Sequence, residues 1–119
     1  MAATLANAGI CPVTGVSCLT HEGVKSTLSH MFTAGMNDYS GQMAYRIGLP
    51  AKSGITGGLM VVIPNVMGIG LYSPAIDEHY NSVKSLEFID QLVEQFSFHQ
   101  YEPLRNRASI VKKGLEVLT

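Results

Sequence analysis

Gly48-Leu49-Pro50-Ala51-Lys52-Ser53-Gly54-Ile55-Thr56-Gly57-Gly58, leading into Leu59-Met60-Val61-Val62-Ile63, is the stretch whose reading decides the fold. Pro50 holds Leu49 out of helical backbone. Leu59–Ile63 is a continuous apolar run with two valines and an isoleucine, the signature of a strand buried on both faces. Ahead of it stand the Lys52 cation, the Ser53 hydroxyl and several glycines. Glycines let a backbone approach a ligand closely. Backbone N–H groups in such a gap stabilise charge that develops in a transition state.

Downstream, Pro64-Asn65-Val66 makes a tight connection, and Met67, Ile69 and Leu71 then alternate with Gly68, Gly70 and Tyr72. A period of two predicts a β-hairpin, with a glycine face open to a packed helix or a ligand. Pro74 ends the second strand, and Asn81 or Ser82 can cap a helix. Val83, Leu86, Ile89, Leu92, Val93 and Phe96 give that helix an apolar stripe, opposite Lys84, Glu87, Gln91 and Glu94.

Upstream, Tyr45-Arg46-Ile47 reads as a short strand or the tail of a loop. Residues 35–41 read as a loop rich in Gly, Asn, Asp and Ser. Val24, Leu28, Met31 and Phe32 recur at helical spacing after Thr20, an N-cap residue with Glu22 in the first turn. Ala2–Ala6 has helical propensity and Asn7-Ala8-Gly9 is a helix stop. No helix start precedes it, so a chain truncated on its N-terminal side is expected. Residues 99–119 form a weakly patterned tail whose Arg105, Arg107, Lys112 and Lys113 read as solvated charges.

The chain has 119 residues, of which 46% are hydrophobic and 14% charged. Mean hydropathy is +0.19, which is apolar for a chain this short. Small domains bury a smaller fraction of their surface, so a further chain segment or a subunit interface is expected to cover part of it. A net charge of −1 leaves no basic stripe for a nucleic acid backbone. Leu59–Ile63 is too short to span a bilayer, and Met1-Ala2-Ala3-Thr4 lacks the charged start and apolar core of a signal peptide. Cys11 and Cys18 read as free thiols, and His21, His30, His79 and His99 are too scattered for a metal site.

Over roughly residues 1–100 the chain resembles the glutaminase family, on Met1–Gly9, Gly35-Met36, Asp38, Ser40-Gly41, Gly48–Gly58, Val62–Gly68, Ser73-Pro74, Asp77 and Asn81–Lys84. The resemblance implies an α+β architecture, part of a β-lactamase/penicillin-binding-protein-like fold with antiparallel strands packed against helices. Residues 1–100 would be the C-terminal part of a glutaminase catalytic domain, and residues 101–119 a C-terminal tail. The implied activity is hydrolysis of L-glutamine to L-glutamate and ammonia through a serine acyl-enzyme, with no metal or organic cofactor. The family forms homo-oligomers, dimers or tetramers. Its members are mitochondrial in eukaryotes and cytoplasmic in bacteria, not secreted.

The same resemblance assigns roles. Lys52-Ser53-Gly54 looks like the Lys-Thr-Gly edge-strand motif of serine β-lactamases, and the amide of the following residue, Ile55, would be an oxyanion-hole donor. Lys52 would supply positive potential, and Ser53 would hydrogen-bond or relay a proton. The family's Gly-Met-Tyr-Asp appears as Gly35-Met36-Asn37-Asp38. Asn37 therefore stands where the family has a substrate-contacting tyrosine, and an amide cannot take up and return that proton. Tyr39, two residues on, does not inherit the role. The nucleophile motif Ser-x-x-Lys is matched only by Ser109 and Lys112, in the tail and beyond the resemblance; Ser82-Val83-Lys84-Ser85 has the wrong spacing. This chain alone is thus expected to be inactive. The alternative is a non-catalytic short form that associates with full-length subunits.

Overall fold

The apolar run and its hairpin partner build the sheet. In a computed structural model that describes residues 1–101, β1 (Ala51–Ser53), β2 (Gly58–Ile63) and β3 (Met67–Tyr72) form an antiparallel sheet in the order β1-β2-β3. Register pairs Ala51 with Val61 and Ser53 with Leu59 on one side, and Ile63 with Met67 at the far end. The hairpin turns at Asn65, whose φ of 63° is tolerated by its short polar side chain.

Strand alternation divides the core in two. Leu59, Val61 and Ile63 point to one face, where they meet Met36, Met43, Ile47, Leu49, Ile89 and Val93. Val62 points to the other, against Leu5, Ala6 and Met31. The two-sided burial expected of β2 is therefore real. α1 (Ala2–Ala6) and α2 (His21–Ala34) cover the second face; α3 (Ser40–Arg46) and α4 (Val83–Phe96) cover the first. The open glycine face of β3 receives α1: a Cβ on Gly68 would lie 2.2 Å from the Ala2 carbonyl carbon, whereas one on Gly70 would meet nothing within 4 Å.

Several caps follow the residues expected to make them. Thr20 Oγ1 accepts the Gly23 N–H at 3.0 Å. Ser82 holds the N-cap position of α4, but its hydroxyl is engaged elsewhere: it donates to the Ser73 carbonyl at 2.9 Å and accepts from the Ser85 hydroxyl at 2.9 Å. Tyr45-Arg46-Ile47 is neither strand nor loop: Tyr45 and Arg46 end α3 and Ile47 is its C-cap. Residues 37–39 form a 3₁₀ turn leading into it. Met36, Met43 and Ile47 are all 2% exposed or less. Met43 and Ile47, four apart, lie on one face of α3 and its C-cap, while Met36 precedes the 3₁₀ turn, so the pattern in sequence is faint.

The expected apolar excess shows on the surface: Val13 is 90% exposed, Tyr45 85% and Tyr72 72%. No helix among the described residues is long and apolar enough to cross a membrane. The tail begins in an ordered way, since His99 Nδ1 accepts the Tyr101 N–H at 3.0 Å, which leaves Nε2 to donate to the Tyr45 carbonyl at 2.8 Å. Ser109, Lys112 and the tail cations Arg105, Arg107 and Lys113 lie outside the described residues.

Candidate functional site

The site is assembled where α2 hands over to β1. The Ser53 N–H donates to the Gly35 carbonyl at 2.9 Å, so the free edge of β1 is closed by the end of α2 and not by another strand. The approach requires glycine: a Cβ on Gly35 would fall 1.8 Å from the Ala51 carbonyl oxygen. That docking brings Met36-Asn37-Asp38 beside Ser53.

After Ser53 the chain reverses. The Gly57 N–H donates to the Gly54 carbonyl at 3.1 Å and the Gly54 N–H to the Gly58 carbonyl at 2.9 Å. Gly54-Ile55-Thr56-Gly57 is a β-turn with Ile55 at its second position. Gly57 has φ +98°, and a Cβ there would meet the Ser73 carbonyl oxygen at 2.1 Å. The Ile55 N–H has no hydrogen-bond partner among the described residues, and its side chain is 72% exposed.

Lys52 and Ser53 leave β1 on opposite faces. Ser53 is 3% exposed and its hydroxyl donates to the Tyr80 carbonyl at 3.5 Å. Lys52 lies in a cleft of about 420 Å³ lined by Ser26, Thr27, His30, Met31, Ala34 and Gly35, and its ammonium donates to the Ser53 carbonyl. The structure thus brings Ser53, Gly54, Ile55 and Asn37 to one neighbourhood and sends the Lys52 side chain to the α2 side.

Asn37 sits at φ 58°, and its amide nitrogen donates to the His79 carbonyl at 3.0 Å and to Asn81 Oδ1 at 3.4 Å. Its Oδ1 accepts nothing from the described residues. The partner loop spans residues 77–81. Asp77 Oδ1 accepts the His79 and Asn81 N–H groups at 2.8 and 3.1 Å, an Asx-type turn that the Asp77 side chain signals. What the sequence did not carry is its destination. Asn81 is fully buried and donates to the Met36 carbonyl at 3.2 Å. His79 Nδ1 meets Asp38 Oδ1 at 2.8 Å, and its ring lies 5.3 Å from that of Tyr39. The Asp38 hydrogen bond raises the His79 pKa above the usual imidazole value, against a smaller opposing effect of burial. Tyr39 is occupied: its hydroxyl accepts from Arg46, which also pairs with Asp90, and these contacts raise the Arg46 pKa.

The cysteines lie apart from this site and both are free thiols. Hydrogen bonds from the Thr14 hydroxyl and the Thr14 and Val13 backbone lower the Cys11 pKa to about 7. No group of His, Cys, Asp and Glu among the described residues is arranged to hold a metal ion.

Comparison with known proteins agrees with this geometry. The glutaminase family model matches residues 1–101. The mitochondrial liver isoform of glutaminase from Mus musculus is 52% identical over 108 residues, which is 91% of this chain and 18% of that protein. Glutaminase from Nostoc is 44% identical over 88% of this chain and 31% of its own length. Among solved structures, Bacillus subtilis glutaminase YbgJ, in covalent complex with 5-oxo-L-norleucine, superposes with a TM-score of 0.80 at 32% identity, covering 82% of this chain and 36% of that one. The sheet and its helices are therefore part of a β-lactamase-like α+β fold, and the chain spans about a third or less of the proteins it matches. With the family model matched across nearly all the described residues, the chain belongs to the glutaminase family.

Proposed function

We propose that residues 1–101 form the oxyanion side of a site that hydrolyses the side-chain amide of L-glutamine, giving L-glutamate and ammonia through a serine acyl-enzyme. The observation that carries this reading is the Ile55 N–H, without a partner among the described residues and held in a β-turn directly after Lys52-Ser53-Gly54 in a glutaminase-family chain. An amide fixed by its turn needs no reorganisation when the carbonyl oxygen gains charge.

In this reading the nucleophilic serine and its lysine come from polypeptide outside residues 1–101, which contain no Ser-x-x-Lys. The chain by itself is then inactive. The covalent complex of the B. subtilis relative with 5-oxo-L-norleucine supports an enzyme-bound intermediate here. Ser53 acts as the buried hydroxyl beside the turn, and Asn37 offers its free Oδ1 to the substrate. Lys52 supplies positive potential from the far side of β1 without direct contact. L-glutamine is the substrate, and the complete protein is a homo-oligomer, mitochondrial in a eukaryote and cytoplasmic in a bacterium.

The test uses the complete protein that contains this segment, assayed for ammonia release from L-glutamine. Proline suits the second position of a β-turn and removes the amide proton without costing a backbone hydrogen bond. Ile55→Pro should therefore lower kcat by about 100-fold or more, while Ile55→Ala stays close to wild type. Equal rates for the two would discard the oxyanion role. Asn37→Tyr should raise the rate by restoring a group able to exchange a proton; an unchanged or lower rate would show that Asn37 does not limit turnover.

A further inference from the structure

Two acidic side chains flank one imidazole at the loop that walls the site. His79 Nδ1 lies 2.8 Å from Asp38 Oδ1, and His79 Nε2 lies 3.5 Å from Glu78 Oε1. The His79 side chain is 28% exposed, against 71% for Asp38 and 87% for Glu78. Asp77 contributes a further nearby negative charge, and the Tyr39 ring covers the imidazole. The backbone of the same loop is what the site rests on: the His79 carbonyl accepts from Asn37, the Tyr80 carbonyl from Ser53, and Asn81 reaches the Met36 carbonyl. Tyr80 bends the loop there at φ 64°, a left-handed backbone that needs external support in a residue other than glycine.

We propose that His79 is a positioning residue, a proton-operated clamp that holds the 77–81 loop against Asn37 and Asp38 and so fixes the wall beside Ser53. The chemistry follows from the two ring nitrogens. Nδ1–H donates to Asp38 in either charge state. With Nε2 protonated, the ring also attracts Glu78. With Nε2 bare, its lone pair faces the Glu78 carboxylate and the second contact turns repulsive.

The pH dependence has a definite sign. The Asp38 hydrogen bond raises the folded-state pKa of His79, and the Asp38, Glu78 and Asp77 charges add to it. The clamp is at full strength below the ordinary imidazole pKa of about 6.5; its charge-dependent part, the Glu78 attraction and the ionic share of the Asp38 bond, is lost as pH rises through the higher folded value, which leaves the neutral Nδ1–H bond to Asp38. The geometry of the clamp stands without any assumption about chemistry; its effect on turnover rests on the glutaminase reading.

The experiment is a pH titration of the 119-residue chain by ¹H–¹⁵N NMR from about pH 5 to about pH 8. The Asn37 side-chain amide and the Asn81 backbone amide should shift with the same midpoint as the His79 ring, above the ordinary imidazole value. Asp38→Asn should lower that midpoint. His79→Gln keeps an uncharged donor and should abolish the pH response of Asn37 and Asn81 while leaving the spectrum dispersed. Amides that stay flat through the His79 midpoint, or a response that survives in His79→Gln, would overturn the clamp. So would a wild-type spectrum without dispersion, since the loop would then have no fixed place. None of these readouts depends on glutamine hydrolysis, so failure of the functional reading leaves them intact.

Discussion

The two faces of the sheet are built differently, although one strand feeds both. On the Ser53 face, Leu59, Val61 and Ile63 pack into a core closed by α3 and α4, and a polar network of Asn37, Asp38, Asp77, His79 and Asn81 is stitched over its edge. On the Lys52 face, Val62 and partly buried Met60 meet only α1 and α2, and the space beside Gly70 is open. Consecutive residues of one tripeptide thus live in unlike surroundings, because side chains alternate along a strand. A shared sequence motif does not imply a shared pocket. Ser53 is buried with its hydroxyl toward the Tyr80 carbonyl, while Lys52 acts on its neighbour's backbone from the other side.

The largest test is at the residue that joins the faces. Gly35 closes α2 and receives the Ser53 N–H. In Gly35→Ala the new methyl would sit 1.8 Å from the Ala51 carbonyl oxygen. Neither backbone partner can yield without parting α2 from β1. The expected loss is at least about 3 kcal/mol, at the upper end for overpacking, read from the urea midpoint. A change within about 0.5 kcal/mol would mean that the two faces are not held together there.

Next comes the network itself. Asn81→Ala removes, in a fully buried position, one of the two donors to the Met36 carbonyl, which keeps the Tyr39 N–H, and the acceptor of one Asn37 contact. Two lost hydrogen bonds at about 0.5–1.5 kcal/mol each give an expected loss of about 1–3 kcal/mol. The matching change on the other face, Lys52→Met, should fall within about 0.5 kcal/mol because that side chain is exposed. Equal losses for the two would erase the distinction between the faces.

Much of this division was legible in the sequence. The unbroken apolar run of β2 and the period of two in β3 announced a hairpin, and both strands form as read. The Thr20 cap and the α4 stripe depend on local spacing and were read for the same reason. α3 was missed because only Met43 within it and Ile47 at its C-cap mark an apolar face, and Gly41 falls in its first turn. The site divides along the same line. The 54–57 turn is local and is bounded by two of the glycines that were read as leaving room for close backbone approach. The pairing of Asn37 with residues 79–81 spans more than forty positions in sequence. Such a contact is decided by how α2 docks on β1, and no nearby pattern records it.

The smallest prediction probes the emptiness of the Lys52 face. Gly70 lies opposite Met60 in the β2–β3 register, on the same side as Lys52, and a Cβ there would touch nothing within 4 Å. Gly68, two residues earlier, is pressed against α1. The two glycines share a face but not a reason. At Gly68 the absent side chain makes room for a helix. At Gly70 it only costs backbone entropy, which disfavours glycine in a strand by about 0.5–1 kcal/mol relative to alanine. Gly70→Ala should therefore leave stability unchanged or raise it by up to that amount, while Gly68→Ala should lower it by displacing α1. Loss of stability at both positions would mean that the Lys52 face is filled along its whole length, and the contrast between the two sides of the sheet would then rest on the polar network alone.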